Sequence, residues 1–299
     1  MSEQPPQGRR SSVPKLPTPK LPQPPKLPQP PKLPAPKLPQ PPKLPQAPKL
    51  PSLSARSRGE GFDMSDERLK VYRSRWRAGL RRVLQRGVFR QVLATAIRPE
   101  AVVARRVRSV RGPFVLVANH TSHLDGPLLN LSLPWTQARL LSTGVAADYF
   151  FTVAHRRLFV RWMLNAFPID RDGSRKNSGT SRRLLRSGVP ILVFPEGGRS
   201  RDGVMGEFKP GAAALAAGVG VPVIPAAIVG AHEAMPKGRN WPRPGRPRVR
   251  VVFGEPMLAG PDETVADFTA RIRASVADLY AAHRAEVLGD AQEPGTGER

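Results

Sequence analysis

The chain has 299 residues, room for one domain of ordinary size with extensions, and none is cysteine, which excludes disulfides, cysteine nucleophiles and thiolate metal sites. A net charge of +25 calls for an anionic partner. Only 6% of residues are aromatic, the cations run along the whole chain, and no recognition module is apparent, so a phospholipid surface or phosphate-bearing substrates are expected and nucleic acid is not. The N-terminus lacks an apolar signal core and no run of 18 apolar residues occurs, which predicts a cytoplasmic protein, peripheral on the cytoplasmic face of a membrane.

Residues 1–62 form a low-complexity arm in which Lys-Leu-Pro occurs seven times, beginning at Lys15, Lys20, Lys26, Lys32, Lys37, Lys43 and Lys49. So much proline forbids helix and sheet ladder and leaves extended or polyproline II chain. The arm reads as a disordered, solvated spacer; a basic tether to anionic lipid or a ligand for a proline-recognising partner is the alternative.

Residues 63–111 predict a basic amphipathic helical segment. Ser65 is placed to cap a helix over 66–97 whose first turn holds Asp66 and Glu67. Leu69, Tyr72, Trp76, Leu80, Val83, Leu84, Val88 and Val92 recur at helical spacing among Arg68, Lys70, Arg73, Arg75, Arg77, Arg81, Arg82, Arg86 and Arg90. An apolar stripe with a tryptophan beside a cationic face suits a helix lying on an anionic membrane surface.

From residue 112 to 288 strand and helix signals alternate. Phe114–Ala118 is a buried strand, Leu140–Phe167 a helical stretch rich in aromatics, and Pro168–Arg171 a short strand end. A helix spans 177–187 with Asn177 or Ser178 as cap and Gly188 as stop, and Pro190–Phe194 is the next strand. An Ala-rich helix follows Pro210 and ends near Gly218; Val223–Val229 and Val249–Phe253 are strands; Asp262 caps a last amphipathic helix. This predicts an α/β fold, a central mixed, mostly parallel sheet covered by helices, with a frayed tail over 289–299.

Charged clusters stand at the predicted strand ends: His120 and Asp125, Arg171, then Glu196 and Arg199, with Lys209 just before a helix start. A histidine with a carboxylate on its far ring nitrogen can serve as a general base. Five residues apart lie roughly 140° around an ideal helix, so such a pair would need a turn entering a helix rather than a helix face. Taken alone, Asn119–Asp125 could equally be a structural loop with two incidental histidines. Arginines at strand ends and a helix N-terminus near Lys209 can hold a phosphate.

Four blocks, Asn119-His-Thr-Ser-His-Leu-Asp125, Phe167-Pro-Ile-Asp-Arg171, Phe194-Pro-Glu-Gly-Gly-Arg-Ser200 and Val221-Pro-Val-Ile-Pro225, resemble in order those of the phospholipid and glycerol acyltransferase family, which includes 1-acyl-sn-glycerol-3-phosphate acyltransferase. Phe208-Lys-Pro-Gly211 is similar to the segment after the third block, and Gly198 departs from the usual threonine. The resemblance spans about residues 112–255 and leaves out the proline-rich arm.

It implies that His120 is the general base and Asp125 its orienting carboxylate. Arg171, Glu196, Gly197 and Arg199 would bind the acceptor, Lys209 would add a phosphate contact, and Pro225 would shape the acyl channel. His123 is left as a site-lining residue. The implied reaction moves an acyl group from acyl-CoA or acyl-carrier protein to a lysophospholipid hydroxyl, most simply 1-acylglycerol 3-phosphate to phosphatidate. It requires neither metal nor bound cofactor. Another lysolipid or glycolipid acceptor stays open, as does a non-catalytic scaffold on anionic membranes.

Overall fold

The computed structural model describes residues 66–146, 162–169 and 178–289. The Lys-Leu-Pro arm, the Ser65 cap, the aromatic residues Tyr149 to Phe159, Arg171 and the C-terminal tail lie outside the described residues. The described strands are β1 (Arg98–Val103), β2 (Val115–Ala118), β3 (Ser142–Ala146), β4 (Phe167–Ile169), β5 (Ile191–Val193), β6 (Val223–Val229) and β7 (Arg248–Phe253). They form one sheet in the order β1-β7-β6-β2-β5-β3-β4. Every neighbouring pair is parallel except β6–β7, which is antiparallel, so the sheet is mixed and mostly parallel.

The centre of the sheet is apolar on both faces, as parallel strands covered by helices must be. Phe114, Leu116 and Ala118 point to one side with Ile224, Ala226, Ile228, Val249 and Val251, against Leu93, Leu124, Leu128 and Leu129. Val115, Val117, Val223 and Ala227 point to the other, where Leu184, Ala212, Ala216, Phe268, Ile272 and Val276 cover them. The covering helices on that second face include Ser178–Arg186, Gly211–Val219 and Val265–Leu288. Removing these side chains from water at roughly 25 cal/mol per Å² of apolar surface is what holds the layers together.

The segment predicted as one helix over 66–97 is broken. It consists of Asp66–Arg73, Arg75–Arg82, a π-helical turn Val83–Phe89 and Arg90–Ala96. Ser74 interrupts it with extended backbone (φ −63°, ψ 116°), a conformation serine tolerates at helix starts. Along these pieces the predicted stripe divides. Leu69 is buried, whereas Trp76, Leu80, Val83, Val88 and Val92 are exposed. Arg81, expected on the outer cationic face, is only 3% exposed, and burial lowers its guanidinium pKa to about 10.

Residues 98–103 were expected to belong to the helical segment and are instead the edge strand β1, parallel to β7. Arg98-Pro-Glu-Ala-Val-Val103 shows no period-2 alternation of apolar and polar residues, so the strand was not legible locally. The helical expectation for Leu140–Phe167 fails at both ends, where Ser142–Ala146 and Phe167–Ile169 pair as parallel strands. Asp262 is not the cap of the last helix. Thr264 is: its backbone is extended and its hydroxyl accepts the Asp267 N–H at 3.2 Å. The Ala-rich helix runs on to Val219 and stops where Gly220 takes the left-handed conformation (φ +72°).

Candidate active site

The carboxyl ends of β2, β5 and β6 lie side by side, the place where open α/β sheets gather ligands. β2 continues into Asn119, whose side chain acts as one more ladder rung. Its Nδ2 donates to the Ile228 carbonyl at 3.0 Å and its Oδ1 accepts the Ile228 N–H at 2.8 Å. The next residue, His120, is therefore delivered from a fixed point. Nothing local in the sequence marked Asn119 for this role, because its partner is 109 residues away.

After His120 the chain turns into the helix Asp125–Ser132. Asp125 is completely buried at the first position of that helix, and its Oδ2 lies 2.8 Å from His120 Nδ1. The same oxygen accepts the backbone N–H groups of Thr121 at 2.7 Å and Ser122 at 2.8 Å. With two backbone N–H groups already on it, Asp125 Oδ2 is the acceptor toward the ring, so Nδ1 carries the hydrogen and Nε2 is left as the ring's acceptor. The ring is 21% exposed and stacks on Phe194, centroids 4.0 Å apart at 16°. The turn is closed by Ser122, whose hydroxyl donates to the Met235 carbonyl at 2.8 Å.

The loop after β5 is bound to this turn. Glu196 Oε1 accepts the His120 N–H at 2.7 Å and Oε2 accepts the Gly206 N–H at 3.0 Å. Burial pushes the Glu196 carboxyl above the usual range, and the hydrogen bonds from Gly206 and His120 offset only part of that. Each Glu196 oxygen thus holds one backbone N–H, which ties the loop after β5 to the His120 turn. The Ser200 N–H donates to the His120 carbonyl at 2.8 Å, a second brace.

Gly197 has a left-handed backbone (φ +75°), and Lys209 lies across it so closely that a Cβ would come 2.9 Å from Nζ. The left-handed backbone is what favours glycine at this point. The Lys209 N–H donates to the Pro195 carbonyl at 3.0 Å. Arg199, Ser200, Arg201, Val204 and Met205 line a cleft of about 450 Å³ that begins at Glu196. His120, Asp125, Glu196, Gly197, Arg199 and Lys209 are accordingly gathered by the β2 and β5 turns. Pro225 is not in that cluster: it is buried in β6 opposite Val117, its ring against the Gly254 backbone. Arg171 lies outside the described residues.

A histidine–carboxylate pair at the end of a parallel strand, braced to a neighbouring Gly-Gly-Arg loop, belongs to an α/β domain equipped for proton transfer. Residues 98–229 match the family model described as Acyltransferase. It is 32% identical over 161 residues to the chloroplastic 1-acyl-sn-glycerol-3-phosphate acyltransferase BAT2 of Brassica napus, covering 52% of this chain and 44% of that protein. It is 33% identical over 150 residues to 1-acyl-sn-glycerol-3-phosphate acyltransferase alpha of Mus musculus, covering 47% and 49%. The chain spans about half the length of the curated relatives it matches. Its fold is similar to the crystal structure of the 1-acyl-sn-glycerophosphate (LPA) acyltransferase PlsC from Thermotoga maritima. That similarity has a TM-score of 0.52 at 23% identity, over 74% of this chain and 84% of that one.

Proposed function

We propose that the chain transfers a fatty acyl group from an acyl thioester to the free hydroxyl of a lysophospholipid, 1-acylglycerol 3-phosphate in the first instance, yielding phosphatidate. The observation that carries this reading is the His120 ring, held by Asp125 through Nδ1 at 2.8 Å with the rest of the ring partly open. His120 Nε2 takes the proton from the acceptor hydroxyl as its oxygen attacks the thioester carbonyl. Asp125 stabilises the imidazolium that forms. When the tetrahedral intermediate collapses, the C–S bond breaks and the departing thiolate receives the proton. The product is an ester and a free thiol, with no covalent enzyme intermediate.

Arg199 and Arg171 are assigned to the acceptor phosphate, for which a planar fork of donors is the matching group, and Lys209 to a further contact. Glu196 and Gly197 position the catalytic turn and the arginine-bearing loop. The donor is acyl-CoA or acyl-carrier protein.

The work is done at the surface of a membrane, on its cytoplasmic face. No helix among the described residues is long and apolar enough to cross a bilayer. Trp76, Leu80, Val83, Val88 and Val92 are exposed on a segment that also carries Arg75, Arg82, Arg86 and Arg90. That arrangement supports contact with anionic lipid.

The test is transfer of labelled oleoyl-CoA to 1-acylglycerol 3-phosphate in anionic vesicles, with His120→Ala beside the parent chain. Loss of a general base typically costs about 10²–10⁴-fold in rate. Product from the parent and a trace from His120→Ala is expected. Equal product from both would remove His120 from the mechanism.

A further inference from the structure

An antiparallel pair such as β6–β7 can be joined by a two-residue turn. Here the chain makes a long excursion instead. It leaves β6 at Gly230 (φ +86°), forms the short helix Ala231–Ala234, and passes the catalytic turn at Met235, whose carbonyl accepts the Ser122 hydroxyl at 2.8 Å. From Pro236 to Pro247 it runs without regular structure before entering β7. This loop is pinned rather than trailing. The Arg243 N–H donates to the Ala234 carbonyl at 2.8 Å, Pro242 is buried, and Gly238, Gly245 and Arg246 take left-handed conformations (φ +101°, +93° and +53°) that bend it sharply.

Its composition is one-sided. Lys237, Arg239, Arg243 and Arg246 are all exposed, and no acidic residue occurs between Glu233 and Glu255. Among the described residues no carboxylate pairs with any of these four. In their midst Trp241 is 57% exposed. Arg239 Nε donates to the Trp241 carbonyl at 3.3 Å, so a guanidinium and the indole share one turn.

An indole held out in water among free cations suits a ligand with a flat π face and several negative charges. A nucleotide has both: the base stacks, and the phosphates meet the cations. A bilayer or an acidic protein would satisfy the cations too, but residues 236–247 hold no Leu, Ile, Val, Phe or Met to bury beside the tryptophan. We propose that the Pro236–Pro247 loop is the docking site for the adenine nucleotide of acyl-CoA, with Trp241 against the base and Lys237, Arg239, Arg243 and Arg246 on its phosphates. The pantetheine arm then leads from this rim past Met235 and Ser122 to His120. The assignment rests on the acyl-transfer reading and makes the donor acyl-CoA.

The experiment compares oleoyl-CoA with oleoyl-pantetheine, the same thioester without the nucleotide, using the full chain and one acceptor. Trp241→Ala and the double variant Arg239→Ala/Arg243→Ala should raise KM for oleoyl-CoA about tenfold or more, from stacking energies on the order of 1–3 kcal/mol per base, and leave kcat/KM for oleoyl-pantetheine unchanged. Equal losses with both donors would overturn the proposal. So would a loss traced to weaker vesicle binding, or one confined to an acyl-carrier-protein donor. If the parent chain transfers from neither donor, the acyl-transfer reading fails, and titration of the chain with free coenzyme A decides the loop separately. Binding abolished by Trp241→Ala supports it, and binding retained overturns it.

Discussion

The His120 pair owes its geometry to backbone donors. Asp125 Oδ2 accepts His120 Nδ1–H together with the N–H groups of Thr121 and Ser122, so the carboxylate is fixed before it orients the ring. Asp125→Asn replaces an acceptor with an amide that also carries donors. Turned one way it faces the Thr121 and Ser122 N–H groups with its own NH₂; turned the other it still offers less negative charge to the imidazolium. We expect transfer to fall by about 10²–10⁴-fold, mostly in kcat. Steady-state kinetics on a variant with an unchanged circular dichroism spectrum checks this. A change in the KM for acceptor alone would mean that Asp125 binds substrate rather than holding the base.

Glu196 has partners that its place in the sequence did not reveal. Both of its oxygens hold backbone, one at His120 and one at Gly206. Glu196→Gln keeps the shape but presents an NH₂ to one of those N–H donors. It should lower kcat by displacing the His120 turn, with little change in binding of an acceptor analogue measured by titration. Loss of analogue affinity at intact kcat would return Glu196 to the acceptor.

Among the elements, the edge strand β1 has little hydrophobic support, since none of its residues is buried. Charge fixes it instead. Arg250 on β7 donates to Glu100 on β1 and to Glu286 on the last helix, and Arg248 donates to Glu100 at 3.0 Å. Glu100 and Glu286 are both held below the usual carboxylate range, first of all by the hydrogen bonds from Arg250. A carboxylate whose folded pKa is lowered stabilises the fold fully above its unfolded pKa, about 4.3, and loses that contribution as pH falls through the lower folded value. Urea midpoints measured from pH 7 down to pH 3 should therefore drop on the acid side. Glu100→Gln should lower the midpoint at pH 7 and make the acid-side drop shallower. An identical slope in parent and variant would show that this cluster is not what links the strand to pH.

For the molecule as a whole, the segment before β1 presents apolar side chains and cations to solvent together. Trp76 is 65% exposed, Val83 63% and Val88 59%, more than a surface needs for packing its own core. Trp76 also meets Trp162 edge-on, centroids 6.3 Å apart, with the Arg77 guanidinium over the Trp162 ring at 5.0 Å. Trp76→Ala combined with Val83→Asp should weaken sedimentation with anionic vesicles several-fold while leaving the unfolding free energy from urea titration within about 0.5 kcal/mol of the parent, as exposed sites do. The residual binding should fall further as salt is raised, because surface charge is screened over about 8–10 Å at physiological ionic strength. Vesicle binding unaffected by the pair would remove this face from the membrane contact.

Length of period decides which features were readable from the chain alone. β2, β5 and β6 are continuous apolar runs bounded by turn residues, and His120, Asp125, Glu196, Gly197, Arg199 and Lys209 sit immediately after them or before a helix start, so strand and site were legible together. The amphipathic period of Val265–Leu288 was likewise carried by Phe268, Ile272 and Val276. By contrast β1 and β3 lack a strong local period and exist because β7 and β5 offer them open ladder edges. The break at Ser74, the π turn and the burial of Arg81 depend on what those helices pack against. Asn119 on Ile228, Ser122 on Met235 and Glu196 on His120 join residues far apart in sequence. Local sequence determines what a segment prefers and which chemistry it carries. Which side chains meet is settled by the sheet, because a buried polar group takes whatever partner the neighbouring strand ends bring within reach.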